Sequence, residues 1–250
     1  MCTSYADRLL TEYFNMENNN FDIFTQEVSW FIKPTDKVDL AITKSNFSDT
    51  FSSAFPTLHK LLSQATILGV TLTRENEVTY YKLFTWTDKH NLKSGWLCKF
   101  ETNDSEIEIL TEHQLLLKNI GGIQESYKQL DTEKELLTDN QNFVFIKSEC
   151  RKGLGDWTEL YEQTCEDEDA KKINTKNLLC FVVEANGNET FYDLNTHQVF
   201  LFASDHCFDN VEVLKGQPEY TFYTINGVTT FVDYAETLAQ QWLENIVENN

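Results

Sequence analysis

Five histidines and six cysteines are few enough for every metal-binding arrangement to be tested by spacing. His59, His90, His113, His197 and His206 form no His-Glu-x-x-His pattern, and no two of them lie four residues apart. The tightest grouping is Asp205-His206-Cys207, with His197 nine residues before His206. Neighbours on an extended chain point to opposite sides, so this triplet does not converge on one ion without a turn. The cysteines at 2, 98, 150, 165, 180 and 207 include no Cys-x-x-Cys pair and read as free thiols packed as small apolar groups. No Gly-x-Ser-x-Gly elbow is present, and the contiguous Ser204-Asp205-His206 is no triad, because triads assemble from distant segments. Gly153-Leu154-Gly155 lacks the third glycine of a dinucleotide fingerprint, since Thr158 stands there, and the phosphate-loop pattern is absent. The sequence therefore nominates no catalytic residue, no metal ligand and no cofactor site.

Carboxylates are the chemistry this chain has in excess: 40 Asp and Glu against 20 Lys and Arg, a net charge of −20. With so many, a general acid/base pair has no nominee, because the pairing that matters is spatial. Lys and Arg are scattered, so nucleic acid, which is held by exchanging counterions for basic side chains, is not an expected partner. An anionic membrane surface is disfavoured for the same reason. The most distinctive polar feature is the run Glu166-Asp167-Glu168-Asp169. Four adjacent carboxylates repel one another and belong in solvent. On an acidic surface such a run would also steer a basic protein partner, with Trp157 or Tyr161 nearby as an aromatic anchor, although both side chains also fit a core. The predicted partner surface is thus Glu166, Asp167, Glu168, Asp169 and Trp157.

The elements that must position these residues follow from periodicity and turn chemistry. Residues 5–16 place Leu9, Leu10, Tyr13 and Phe14 at helical spacing, ahead of the Asn18-Asn19-Asn20 tract. Residues 26–32 are rich in β-branched and aromatic side chains and stop at Pro34, which predicts a short strand. Strands are predicted over 78–87 and 95–101, and a helix over 109–120 that stops at Gly121-Gly122, read as a helix cap with one left-handed residue. Residues 143–147 read as a strand and 156–169 as a helix with an acidic outer face and tail. A meander follows over 177–184, 190–194 and 198–203, its first turn marked by Asn186-Gly187, and a further strand over 220–225 closes at Asn226-Gly227. The last helix is introduced by Thr230 and Asp233, an acidic capping box, and carries Phe231, Tyr234, Leu238, Trp242 and Ile246 on one stripe.

At 250 residues, with 41% apolar and 13% aromatic side chains and only 9 Gly and 3 Pro, the chain can bury a substantial core and is neither disordered nor fibrous. No basic segment followed by an apolar one opens it and no apolar run approaches a membrane span, so a cytoplasmic setting is expected. A boundary is expected near 101–106, dividing an N-terminal α+β region, 1–101, from a second unit, 102–250.

Three segments in that second unit occur in a telling order: LLLKNIGGI at 115–123, ETFYDLNTHQVFLFASD at 189–205 with Asp193 near its middle, and TFVDYAETLAQQWLENI at 230–246. Together they resemble the SUKH superfamily, which includes yeast glucan-synthesis regulators and many bacterial immunity proteins. The resemblance spans about 100–250, with His197 standing where a turn glycine is common and residues 1–101 outside it. It implies an α+β fold, a curved and mainly antiparallel sheet flanked by helices. It also implies a non-enzymatic binding module that neutralises a basic, nuclease-like toxin domain. The rival expectations are a regulatory scaffold of cell-wall or glucan synthesis and a hydrolase using two carboxylates.

Overall fold

The computed structural model describes residues 20–44, 46–101, 106–128, 137, 141–205 and 210–246. The expected helix over 5–16, the pair His206-Cys207 and most of the 101–106 boundary lie outside the described residues. The fold is α+β. Twelve antiparallel strands among the described residues form one open sheet, with six helices around it. The strands are β1 (Lys37–Ile42), β2 (Thr66–Arg74), β3 (Glu77–Thr87), β4 (Lys93–Phe100), β5 (Gly122–Tyr127) and β6 (Gln141–Val144). They continue as β7 (Arg151–Lys152), β8 (Leu178–Glu184), β9 (Glu189–Asp193), β10 (Val199–Phe202), β11 (Val211–Val213) and β12 (Phe222–Ile225). Their order is almost the chain order; only β12 slips between β10 and β11, and β7 joins β8 beside β6. Register shifts in the β4–β5, β6–β8 and β8–β9 pairings bend the sheet, as bulges do.

The helices are α1 (20–27), α2 (Asp49–Ala54), α3 (Pro56–Ser63), α4 (Thr111–Ile120), α5 (Thr158–Asp167) and α6 (Phe231–Leu243). Strand alternation sends one row of side chains, including Phe84, Trp86, Trp96, Cys98 and Phe181, into a main core with α2, α3, α4 and α6. The opposite row feeds two smaller cores. Leu68, Val70, Leu83 and Leu97 meet Phe21, Phe24 and Val28 of the α1 segment, and Leu178, Cys180, Phe191 and Phe222 meet Tyr161 and Cys165 of α5. The sheet runs without interruption from β4 to β5, and α3 of the first hundred residues packs against α6 of the last twenty.

Residues 26–32, expected as a strand, are instead the end of α1 and the turn after it. Phe21, Phe24 and Val28 recur at helical spacing, and that burial pattern prevails over the β-rich composition of the segment. Arg74 fixes the turn by donating to both Asp36 carboxylate oxygens and to Phe31 O, which holds the Asp36 carboxyl down at about 2. Gly121 is likewise not a left-handed cap. It has φ 80° and ψ −174°, so α4 passes straight into β5, and a Cβ there would sit 2.4 Å from Lys99 O. At Gly122 a Cβ would be 2.6–2.8 Å from Ile146 atoms. The glycine pair exists for this close approach as much as for the turn.

Carboxylates build much of the framework. Asp233 completes the capping box with Thr230 at the start of α6. Glu236, one turn on, reaches across to accept from Thr57 N and Leu58 N at 2.8 and 2.9 Å, capping the otherwise uncapped α3. Farther along α6, Trp242 packs within 5.1–5.5 Å, ring centre to ring centre, of Trp86 and Trp96, and Trp86 Nε1 donates to Leu61 O.

His113, fully buried in α4, joins the remaining parts. Its Nε2–H donates to Phe145 O at 2.7 Å, so Nδ1 is the acceptor for the Tyr192 hydroxyl at 3.1 Å. The ring stacks on Phe231, the first residue of α6, at 4.7 Å. Burial lowers its pKa from 6.5 to about 4. The unfolded chain therefore takes up a proton that the folded one excludes, and stability falls as pH drops from about 6.5 to about 4, by roughly 3 kcal/mol. Urea midpoints across that range will show this slope in the wild type. In His113→Gln, which has no titrating ring, the curve will be flatter and lower at pH 7; an unchanged slope would assign the titration to another group.

Candidate functional site

The acidic surface is built on α5. Arg151 and Lys152 of β7 lead through Gly153 and a 3₁₀ turn at Gly155–Trp157 into the helix. Tyr161 and Cys165, four residues apart, face the sheet and are buried, with the Tyr161 ring edge-on to Phe222 at 5.2 Å. The Tyr161 hydroxyl accepts from Ile173 N and donates to Gln217 Oε1, and Gln217 in turn donates to Lys171 O. The irregular segment after the helix is thereby tied to its inner face.

With 161 and 165 turned inward, helical spacing puts Glu159, Glu162, Gln163, Glu166 and Asp167 outward, and all five are exposed. Glu168 caps the helix and Asp169 follows at φ 52°, both exposed. The predicted run Glu166–Asp169 therefore lies in solvent, and Asp156, Glu159 and Glu162 extend it into a face of seven carboxylates. Segment 156–169 contains no Lys or Arg. Lys172 alone reaches back, at 2.8 Å to Glu166 and 3.6 Å to Glu162. Its ammonium lowers the Glu166 pKa, and Glu166 raises that of Lys172.

This arrangement works against the helix. Backbone dipoles make a helix C-terminus electronegative, where Lys or Arg is favoured, yet the last turn of α5 has no basic residue. The Glu159–Glu162 and Glu162–Glu166 spacings also bring like charges together, while Gln163 donates a neutral bond to Asp167.

Trp157 is placed differently from the rest of the predicted surface. It is half-buried at the start of α5, its ring 5.8 Å from Phe202, and its indole N–H donates to Glu189 Oε1 at 3.0 Å. The same oxygen takes the Arg151 guanidinium. Glu189 is buried, and burial pushes its carboxyl up against the opposing pull of Arg151. Trp157 thus secures the helix from below, and the apolar side chain exposed among the carboxylates is Leu160, at 44%. Leu160, Glu159 and Glu162 were not named from the sequence; counting helical turns from Tyr161 and Cys165 identifies them.

Among the described residues no group of three or more His, Cys, Asp and Glu is placed to hold a metal ion, and no helix is long and apolar enough to cross a membrane. No protein-family model, curated protein or solved structure matches the chain.

Two outcomes test this geometry by thermal melts. Replacing Glu166, Asp167, Glu168 and Asp169 together by Gln or Asn will leave the melting temperature unchanged or raise it by about 1–3 °C, since repulsion and the dipole conflict are relieved. A fall of many degrees would make the run part of the framework. Arg151→Met, by contrast, strands the Glu189 carboxylate in the interior and will cost about 2–3 kcal/mol, read from urea unfolding.

Proposed function

We propose that the chain is a non-enzymatic protein-binding module that captures a strongly basic partner on the outer face of α5, in the manner of an immunity protein that occludes a basic, nuclease-like toxin domain. The observation that carries this reading is the position of the carboxylates on α5. Glu166, Asp167, Glu168 and Asp169 crowd the helix end where negative charge destabilises most, and Lys172 pairs with Glu162 and Glu166. A basic surface would supply the missing counter-charge on docking, speeding encounter through the long-range field of a molecule at −20. Leu160 offers an apolar contact beside the carboxylates, where bordering charges lose water.

The resemblance of about 100–250 to the SUKH superfamily leads to the same class of function, from other residues. A cytoplasmic encounter with a toxin domain fits both. A scaffold in cell-wall synthesis would use the same face and differs only in the partner. For a two-carboxylate hydrolase the cleft between the end of β4 and the last turn of α4 offers little, since its lining has a single carboxylate, Glu101, whose oxygens accept from the backbone donors of Lys147 and Ser148.

Affinity capture from the native cell extract at about 0.05 M and about 0.5 M salt, with identification of the eluate, tests the proposal. The expected result is a basic protein retained at low salt and released at high salt. The Glu166–Asp169 neutralised variant will retain it about tenfold less well at low salt, with the difference shrinking at high salt. Equal retention by the two forms would remove α5 as the docking face.

A further inference from the structure

A second surface has the opposite character. The last turn of α4, the end of β4 and the 3₁₀ turn at Lys147–Glu149 enclose a cleft of about 410 Å³. Ile109, Leu117 and Phe100 provide apolar lining, and Lys99, Lys118 and Lys147 line it as well. Three of the chain's 20 basic residues therefore meet in one concavity of a molecule whose net charge is −20. Among the described residues, Lys118 and Lys147 make no ion pair, while Lys37, Lys128, Lys152 and Lys172 each have a carboxylate.

The lining sets a single carboxylate, Glu101, against these three ammonium groups, so an excess of positive charge remains. Glu101 Oε2 accepts from Lys147 N at 2.8 Å and Oε1 from Ser148 N at 3.0 Å, so both oxygens are engaged with the backbone. The cleft also has an aromatic wall. Phe100 pairs across the sheet with Tyr80, which is 49% exposed, and the Lys82 ammonium lies 4.6 Å from the centre of the Phe100 ring. Burial lowers the Lys82 pKa, as expected of a cation held partly out of water by that packing.

We infer that this cleft binds a small phosphate monoester carried on an aromatic body, a ligand of mononucleotide size, with Lys118 and Lys147 on the phosphate and Phe100 against the ring. Lysine is a compact point charge suited to a phosphate dianion; flat, bidentate carboxylate recognition uses the guanidinium fork, and no arginine lines the cleft. The apolar lining favours an anion with an organic body over a bare ion, and the volume lies in the range of small-molecule sites. The acidic remainder of the molecule repels a polyanion, which confines the site to one phosphate group.

Titration calorimetry of the full chain with adenosine 5′-monophosphate, adenosine and inorganic phosphate tests the inference. The monophosphate is expected to bind, and the nucleoside and the free ion each to bind at least about fivefold more weakly. In the double variant Lys118→Gln, Lys147→Gln, affinity for the monophosphate will drop about tenfold or more, while the melting temperature falls by no more than about 4 °C, the loss expected when the last turn of α4 gives up its basic residue. Absence of monophosphate binding at about 5 mM in low salt, or binding retained by the double variant, would overturn it. Equal affinity for adenosine would do the same by showing that the lysines read nothing. Equal affinity for inorganic phosphate would overturn it as well, leaving only a surface cation cluster with no part for the aromatic wall.

Discussion

A neutral imidazole sealed inside the main core sets the arrangement of most of this molecule. His113 has two ring nitrogens and no water, so both must be satisfied by protein, and only one tautomer and one ring orientation meet Phe145 O and the Tyr192 hydroxyl together. That seats α4 against the stretch after β6 and against β9. The exposed ring face then receives Phe231, which begins α6 immediately after its capping box. From α6 the dependence runs on, through Glu236 to the start of α3 and through Trp242 to the tryptophans of β3 and β4. One polar side chain, placed where polar side chains are costly, thereby links segments far apart in the chain.

The acidic residues fall into two physical populations. Glu101, Asp233 and Glu236 accept backbone N–H groups, and Asp88 and Asp193 close turns in the same way. Each satisfies donors that helix starts and turns would otherwise leave open. Glu166, Asp167, Glu168 and Asp169 satisfy no backbone donor among the described residues and occupy the less favourable end of α5. Composition reports both populations as one number, −20; only the structure separates the charge that holds the fold from the charge that is left over.

Legibility followed the same division. Elements with strong local signals were readable: the capping box of α6, the Asn186-Gly187 turn, the strand over 78–87 and the meander after 177 all agree with the sequence. Elements whose identity depends on distant partners were not. β1, β5 and the short β7 and β11 take their strand character from their neighbours, and α1 was misread because its buried stripe begins before the β-rich residues. β2 carries a readable alternation in Leu68, Val70 and Leu72. On the site, solvation of Glu166–Asp169 was foreseeable from mutual repulsion. The role of Trp157 was not, because Glu189, its partner, is 32 residues away. The lysine cleft was invisible for the same reason: Lys99, Lys118 and Lys147 are singletons along the chain.

Among the described residues the open sheet ends at β1, a six-residue strand whose only neighbour is β2. Its outer edge carries the charged pair Lys37 and Asp39, the kind of residue that discourages a further strand from adding. β2 beneath it reads TILGVTLTR, eight uncharged and largely β-branched or aliphatic residues before Arg74. β1 is thus a sacrificial margin for a sticky neighbour. A cut between β1 and α2 would leave β1 and the α1 segment held to the rest by pairing with β2 and by the packing of Phe21, Phe24 and Val28, so that loss of this one piece would both open a core and bare the edge of β2.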